Sequence, residues 1–151
     1  MTQHQYQRLA PVADRDSEDW WSALRRHQLI LQECAMCRRR RWPPRAICGH
    51  CWSFAWRWKL SSTPGMVATW TITHHPYVPG INIPYHNVVT RLPSTADPGG
   101  ERRGDLFIPG SWCGSGSPVI GAEVQPAFED VVVSVGTTFT LLGWIPTAQH
   151  N

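Results

Sequence analysis

Four cysteines in two Cys-x-x-Cys pairs, Cys34-Ala35-Met36-Cys37 and Cys48-Gly49-His50-Cys51, carry the clearest chemistry in this sequence. Each pair sets two thiolates about one turn apart, where backbone N–H groups can point at the sulfurs. Two such pairs facing one another complete a tetrahedral four-thiolate site for one zinc ion, with Zn–S distances of about 2.3 Å. Disulfides and unligated thiols are the alternatives, but in a reducing compartment this spacing points to metal. Four thiolates leave zinc coordinatively closed, so the expected role is structural and not water activation. His50, between two ligands, is then expected to face solvent and not to act as a fifth donor.

The loop between the pairs holds Arg38, Arg39, Arg40 and Arg41, followed by Trp42, Pro43, Pro44 and Arg45. With little apolar sequence nearby, these arginines are expected to splay outward as a fixed positive patch. Such a patch suits nucleic-acid phosphates, the phosphates of a coenzyme A nucleotide or an acidic protein surface. A solvated charge run is the plain alternative. Trp42 and Trp52 could stack on bases, or simply pack against the ribbon.

Other candidates are weaker. His74 and His75 close an apolar run, but adjacent strand residues point to opposite faces, which argues against a paired role, although one of them could contact a ligand. Gly110 to Pro118 (GSWCGSGSP) is glycine-rich without the Lys-Ser/Thr of a phosphate loop and reads as a flexible connection. Cys113 has no partner in sequence and reads as a buried or semi-buried thiol. No Ser/His/Asp order and no compelling carboxylate pair emerges, so the residues offer no catalytic centre.

The elements that must position these groups follow from pattern. The chain of 151 residues suits one ordinary domain or two small units, and its formal charge of +3 hides a local basic cluster. No apolar run of about 18 residues is present to span a bilayer, and the polar start lacks a signal-like apolar region. A soluble cytoplasmic protein without membrane contact is expected. Of nine tryptophans, Trp20, Trp21, Trp42, Trp52, Trp56 and Trp58 fall in the first 60 residues, where they could bury large areas or form an interface.

Residues 1–16 read as a flexible tail. Ser17 reads as the N-cap of a helix running to about His27, with Glu18 and Asp19 at the positive end of its dipole and Trp20, Trp21 and Leu24 at helical spacing. Leu29 to Leu31 suit a strand entering Cys34, and Trp52 to Lys59 alternates aromatics with the period of a partner strand. Beyond SSTPG the pattern is all-β: Met66 to His74, His86 to Leu92, part of Arg103 to Cys113, Glu123 to Val133 and Thr137 to Ile145, the last two joined at Gly136. Five strands without a convincing long helix suggest a small barrel such as the OB-fold, with a sandwich as the alternative. The expected class is mainly β, with N-terminal helix and zinc ribbon (17–60), five-stranded OB-fold barrel (61–146) and a tail (147–151).

The order of parts, a helix, then LQECAMCRRRRWPPRAICGHC, then GMVATWTITHHPYVPG and PVIGAEVQPAFEDV, resembles the family called domain of unknown function 35. The resemblance covers roughly residues 17–146 and rests on the Cys pairs with Pro-Pro between them, Gly65 before a strand ending in His-Pro, and the Gly-x-x-Val and Phe-Glu-Asp pattern at 121–130. It implies a rubredoxin-like zinc ribbon joined to an OB-fold, with Cys34, Cys37, Cys48 and Cys51 as ligands to one structural zinc. Members of that family are usually accessory subunits of thiolase-fold enzymes, including acetoacetyl-CoA thiolases, acyltransferases and sterol-carrier-type aldolases, and some pair with MaoC-like hydratases.

The resemblance therefore implies a non-catalytic subunit that binds a thiolase-like or aldolase partner and helps shape its acyl-CoA site, in lipid or steroid side-chain degradation. No catalytic residue carries over. The second reading is a nucleic-acid-binding module, since ribbons and OB-folds both serve that purpose, although only the arginine loop supports it.

Overall fold

The computed structural model describes residues 10–77, 81–93, 104–134 and 137–147. Residues 1–9 of the expected N-terminal tail, the strand start at Arg103, the turn at Gly136 and residues 148–151 of the expected C-terminal tail lie outside the described residues.

Helix α1 spans Glu18–Leu24 and buries Trp20, Ala23 and Leu24, the three- and four-residue spacing of a single inward stripe. It is shorter than the sequence suggests, and Ser17 is not its side-chain cap. Ser17 already has helical dihedrals (φ −108°, ψ −7°). Asp14 does the capping one turn earlier: its carboxylate accepts the Ser17 N–H at 2.8 Å and its carbonyl accepts the Glu18 N–H at 2.9 Å.

Three strands follow: β1 (Ile30–Cys34), β2 (Arg40–Arg41) and β3 (Trp56–Leu60). They form an antiparallel sheet in the order β2-β1-β3, with Ile30 opposite Leu60 and Cys34 opposite Trp56. The expected pairing of the strand entering Cys34 with the tryptophan-rich strand is therefore present. Its start is not, because Trp52 and Phe54 precede β3 and are exposed. Trp52 lies in a turn at φ 61°, a conformation no strand accommodates. Strand β2 was not foreseen, since two arginines carry no apolar period.

The barrel comprises β4 (Gly65–Thr73), β5 (Tyr85–Leu92), β6 (Leu106–Trp112), β7 (Glu123–Ser134) and β8 (Thr137–Pro146). The strands close in the order β4-β5-β6-β8-β7, with β6 and β8 parallel and the other neighbours antiparallel. This closed five-stranded barrel is the OB-type arrangement expected from the pattern. Gly110 to Trp112 belong to β6, so the glycine-rich stretch is not a connection throughout. The glycine is required there. A Cβ on Gly110 would come within 2.8 Å of the Trp144 indole, which is fully buried.

One buried cluster joins the two parts. Trp20, Leu24, Leu29 and Leu31 from the helix and ribbon pack with Val67, Val88, Ile108, Val124, Leu142 and Trp144 from the barrel. The helix is further tied to the ribbon by the Trp58 indole N–H, which donates to Asp19 Oδ2 at 2.9 Å. No helix among the described residues is long and apolar enough to cross a membrane.

Candidate metal centre and ribbon surface

The two cysteine pairs adopt the same turn. In the first, the Arg38 N–H donates to the Cys34 carbonyl at 3.0 Å and the Cys34 N–H to the Arg39 carbonyl at 2.9 Å. In the second, the Trp52 N–H donates to the Cys48 carbonyl and the Cys48 N–H to the Ser53 carbonyl, both at 2.9 Å. Arg38 (φ 65°) and Trp52 (φ 61°) occupy the same left-handed position, directly after the second cysteine of each pair.

These matching turns bring the Sγ atoms of Cys34, Cys37, Cys48 and Cys51 within 4.8 Å of one another. Cys34 and Cys51 sulfurs lie 3.5 Å apart, and Cys37 and Cys48 sulfurs 3.6 Å apart. Those separations exceed a disulfide bond of about 2.05 Å. They are close to the roughly 3.8 Å edge of a tetrahedron built on Zn–S bonds of about 2.3 Å. The donor set thus fits one zinc ion with no open position.

Burial and the backbone N–H groups of the two turns act on the thiols in opposite directions. Burial pushes the Cys37 thiol up to about 12, and the thiols of Cys48, Cys51 and Cys34 add to that rise against the Arg39 N–H. Burial also raises Cys48, but the N–H groups of Cys51 and His50 and the neighbouring thiols outweigh it and bring it down to about 6. Cys34 is lowered in the same way, by the N–H groups of Cys37 and Met36 against the effect of burial. Backbone donors thus favour thiolate in each turn, while four thiolates this close need a cation between them.

The arginines do not all splay outward. Gln32 on β1 is fully buried, and its Oε1 accepts from Arg41 Nε at 2.6 Å and from the Arg45 N–H at 2.9 Å. Arg41 Nη2 also donates to the Arg45 carbonyl at 2.9 Å. Glu33, next on the strand, accepts from Arg57 Nε and Nη2 at 2.9 and 2.6 Å, and Arg38 Nε lies 3.7 Å from it. The loop has an interior after all, made from two polar β1 side chains that sequence reading passed over. Arg39, Arg40, Arg41 and Trp42 line a recess of about 250 Å³ shared with Asp105 and Leu106 of the barrel. Trp42 packs on Trp20, with ring centroids 6.1 Å apart.

His74 and His75 follow β4 as exposed residues, and His75 meets Tyr77 edge-on at 4.8 Å. His50 is exposed, as expected. Cys113 is exposed and not buried, with its sulfur lying over Gly143. The sulfur itself is partly covered there, and that partial desolvation, with the Glu129 charge, pushes the thiol up, which suits an unreactive group.

Sequence reading missed a cavity of about 510 Å³ where the helix meets the barrel, lined by Trp21, Tyr85, His86, Trp112, Glu129 and Phe139 among others. His86 meets Trp70 edge-on at 5.3 Å. The aromatic content was visible in sequence. Its convergence was not, because the lining comes from five separate elements.

Comparison with known proteins agrees with this architecture. Residues 21–57 match the family model described as ChsH2, rubredoxin-like zinc ribbon domain. A curated relative, the probable enoyl-CoA hydratase alpha subunit of Thermomonospora curvata, is 36% identical over 78 residues, 52% of this chain. The chain spans only 24% of that relative's length. Among solved structures, a chain of the Ltp2-ChsH2(DUF35) aldolase superposes with a TM-score of 0.72 at 26% identity, over 92% of this chain and 100% of that one. A DUF35 protein of unknown function from Sulfolobus solfataricus shares the fold, with a TM-score of 0.55 at 17% identity over 89% of this chain and 87% of that one. This chain therefore carries a zinc ribbon of the ChsH2 type joined to a five-stranded barrel, the architecture of the DUF35 family.

Proposed function

We propose that this chain is a non-catalytic accessory subunit that binds a thiolase-fold enzyme, a thiolase, acyltransferase or aldolase, and helps form its acyl-CoA site. The observation that carries this reading is its likeness to the whole of a chain in the Ltp2-ChsH2(DUF35) aldolase. The match to part of a probable enoyl-CoA hydratase subunit supports the acyl-CoA setting and makes a MaoC-like hydratase a second candidate partner. In this reading Cys34, Cys37, Cys48 and Cys51 hold one zinc, which supplies cross-linking of the ribbon and no chemistry on substrate.

The division of labour follows from the core. The barrel and ribbon share one buried cluster, so a partner docked on the ribbon would be held in fixed relation to the cavity beside the helix. Lipid or steroid side-chain degradation is the metabolic setting in which such a subunit fits. The nucleic-acid reading loses support, because Arg38, Arg41 and Arg57 engage Glu33, Gln32 and the backbone.

Co-expression with a thiolase-fold enzyme from the same host, followed by size exclusion, tests the proposal. Co-elution at a fixed ratio is expected. Elution as separate species, with no effect on the enzyme's activity, would remove it.

A further inference from the structure

We infer that the cysteine end of the ribbon is the docking surface, and that it seats Trp52, with Met36 and Phe54, in an apolar pocket with an acidic rim on the catalytic subunit. This rests on the accessory-subunit reading and goes beyond it by naming the surface and the chemistry that receives it.

Four large apolar residues lie within three positions of a cysteine of the centre and are exposed. Met36, inside the first pair, is 72% exposed; Trp52, directly after the second, 75%; Phe54, two residues on, 69%; and Ile47, directly before Cys48, 41%. Because the four sulfurs lie within 4.8 Å, residues this near the cysteines share one end of the ribbon. A small sheet held by metal and one helix has no need to expose them, and a cluster of this kind marks an interaction site.

Backbone conformation gives an independent argument. Arg38 and Trp52 hold equivalent left-handed positions, where glycine would fit without a steric penalty and a bulky side chain is disfavoured. Both side chains are nevertheless largely exposed, Trp52 at 75% and Arg38 with 60% of its side chain, although Arg38 Nε reaches to 3.7 Å from Glu33. The turns thus hold a disfavoured conformation and display a tryptophan and an arginine, two residue types that dominate binding energy at interfaces. Arg38 and Arg45 are exposed and flank these residues in sequence, and Arg38 and Arg57 share the single carboxylate of Glu33, which leaves net positive charge there. The complement is an apolar pocket ringed by Asp and Glu.

The test uses the full tagged chain in its native host, with a photo-reactive phenylalanine analogue in place of Phe54 or, as a barrel control, of Phe107, which is 54% exposed. A cross-link from position 54 to a thiolase-fold subunit, mapped to an apolar segment flanked by Asp or Glu, is expected. A cross-link to that subunit only from position 107 overturns this inference and leaves the accessory reading standing. Adducts from position 54 to a second copy of the chain or to nucleic acid overturn the inference, and no adduct from either position removes both readings. Trp52→Gly supplies the control for folding: because glycine accepts φ 61°, the variant should keep its zinc and an equal or higher thermal midpoint. Its co-purification with the thiolase-fold subunit should fall by about tenfold or more. Undiminished co-purification at full zinc content would overturn the inference.

Discussion

His27 Nε2 donates to Asp130 Oδ2 at 3.0 Å, joining the turn after α1 to strand β7 across 103 positions of sequence. The His27 ring also stacks on Phe128 with centroids 5.2 Å apart and planes 6° from parallel. His27 can make both contacts because it sits at φ 54°, which turns the chain out of the helix and towards the barrel. Helix, ribbon and barrel are therefore fastened by a polar clasp as well as by the shared core.

That clasp has a pH signature. The Thr140 hydroxyl, then His27, hold the Asp130 carboxyl below the ordinary carboxylate range. A carboxyl with a lowered folded value stabilises the fold above its unfolded value of about 4 and loses that contribution as pH falls through the folded value. Thermal unfolding of Asp130→Asn should therefore depend less on pH below about 4 than that of the wild type. Parallel curves for the two proteins would contradict this.

Gln32 is the second test. Replacing it with Leu leaves the Arg45 N–H and Arg41 Nε without their acceptor in a buried site. A loss of about 1–3 kcal/mol in denaturant unfolding is expected. Faster amide exchange should be confined to residues 40–45, and exchange changes spread through the barrel would count against this role.

Gly110 tests the barrel. A methyl there would press on the Trp144 ring and lie 2.9 Å from the Leu142 carbonyl, where β6 and β8 run side by side. Gly110→Ala should cost about 1–3 kcal/mol, since neither neighbour can retreat in a filled core. An unchanged midpoint with unchanged Trp144 fluorescence would show that the seam is looser than described.

How much of this was written plainly in the sequence differs from part to part. The barrel strands were legible because runs such as MVATWTIT and AFEDVVVS combine β-branched and aromatic residues between turn residues. The four cysteines were legible because metal ligation fixes both residue type and spacing. Trp52 and Phe54 misled, since alternating aromatics mimic a strand even where a metal turn dictates the backbone. Arg40 and Arg41 form a strand that no apolar period announces, held by Gln32 and Glu33, whose burial depends on partners brought from elsewhere in the chain. The cavity beside the helix was invisible for the same reason.

Zinc should be the strongest single contributor to ribbon stability. Cys37→Ser, or a strong chelator, should release the metal and unfold residues 34–51, removing stabilisation on the order of 10 kcal/mol in comparable small zinc units. Elemental analysis paired with amide exchange checks it. A ribbon that stays protected after verified zinc loss would show that the β1–β3 pairing suffices alone.

The most direct measurement of the accessory role is turnover of an acyl-CoA substrate by the thiolase-fold enzyme, with and without this chain. Zinc-loaded wild type, Cys48→Ser and no addition are compared at equal enzyme. Activity or substrate affinity that rises with stoichiometric wild-type chain, and does not rise with Cys48→Ser, is the expected result. Identical turnover in all three, or turnover by this chain alone, would contradict it.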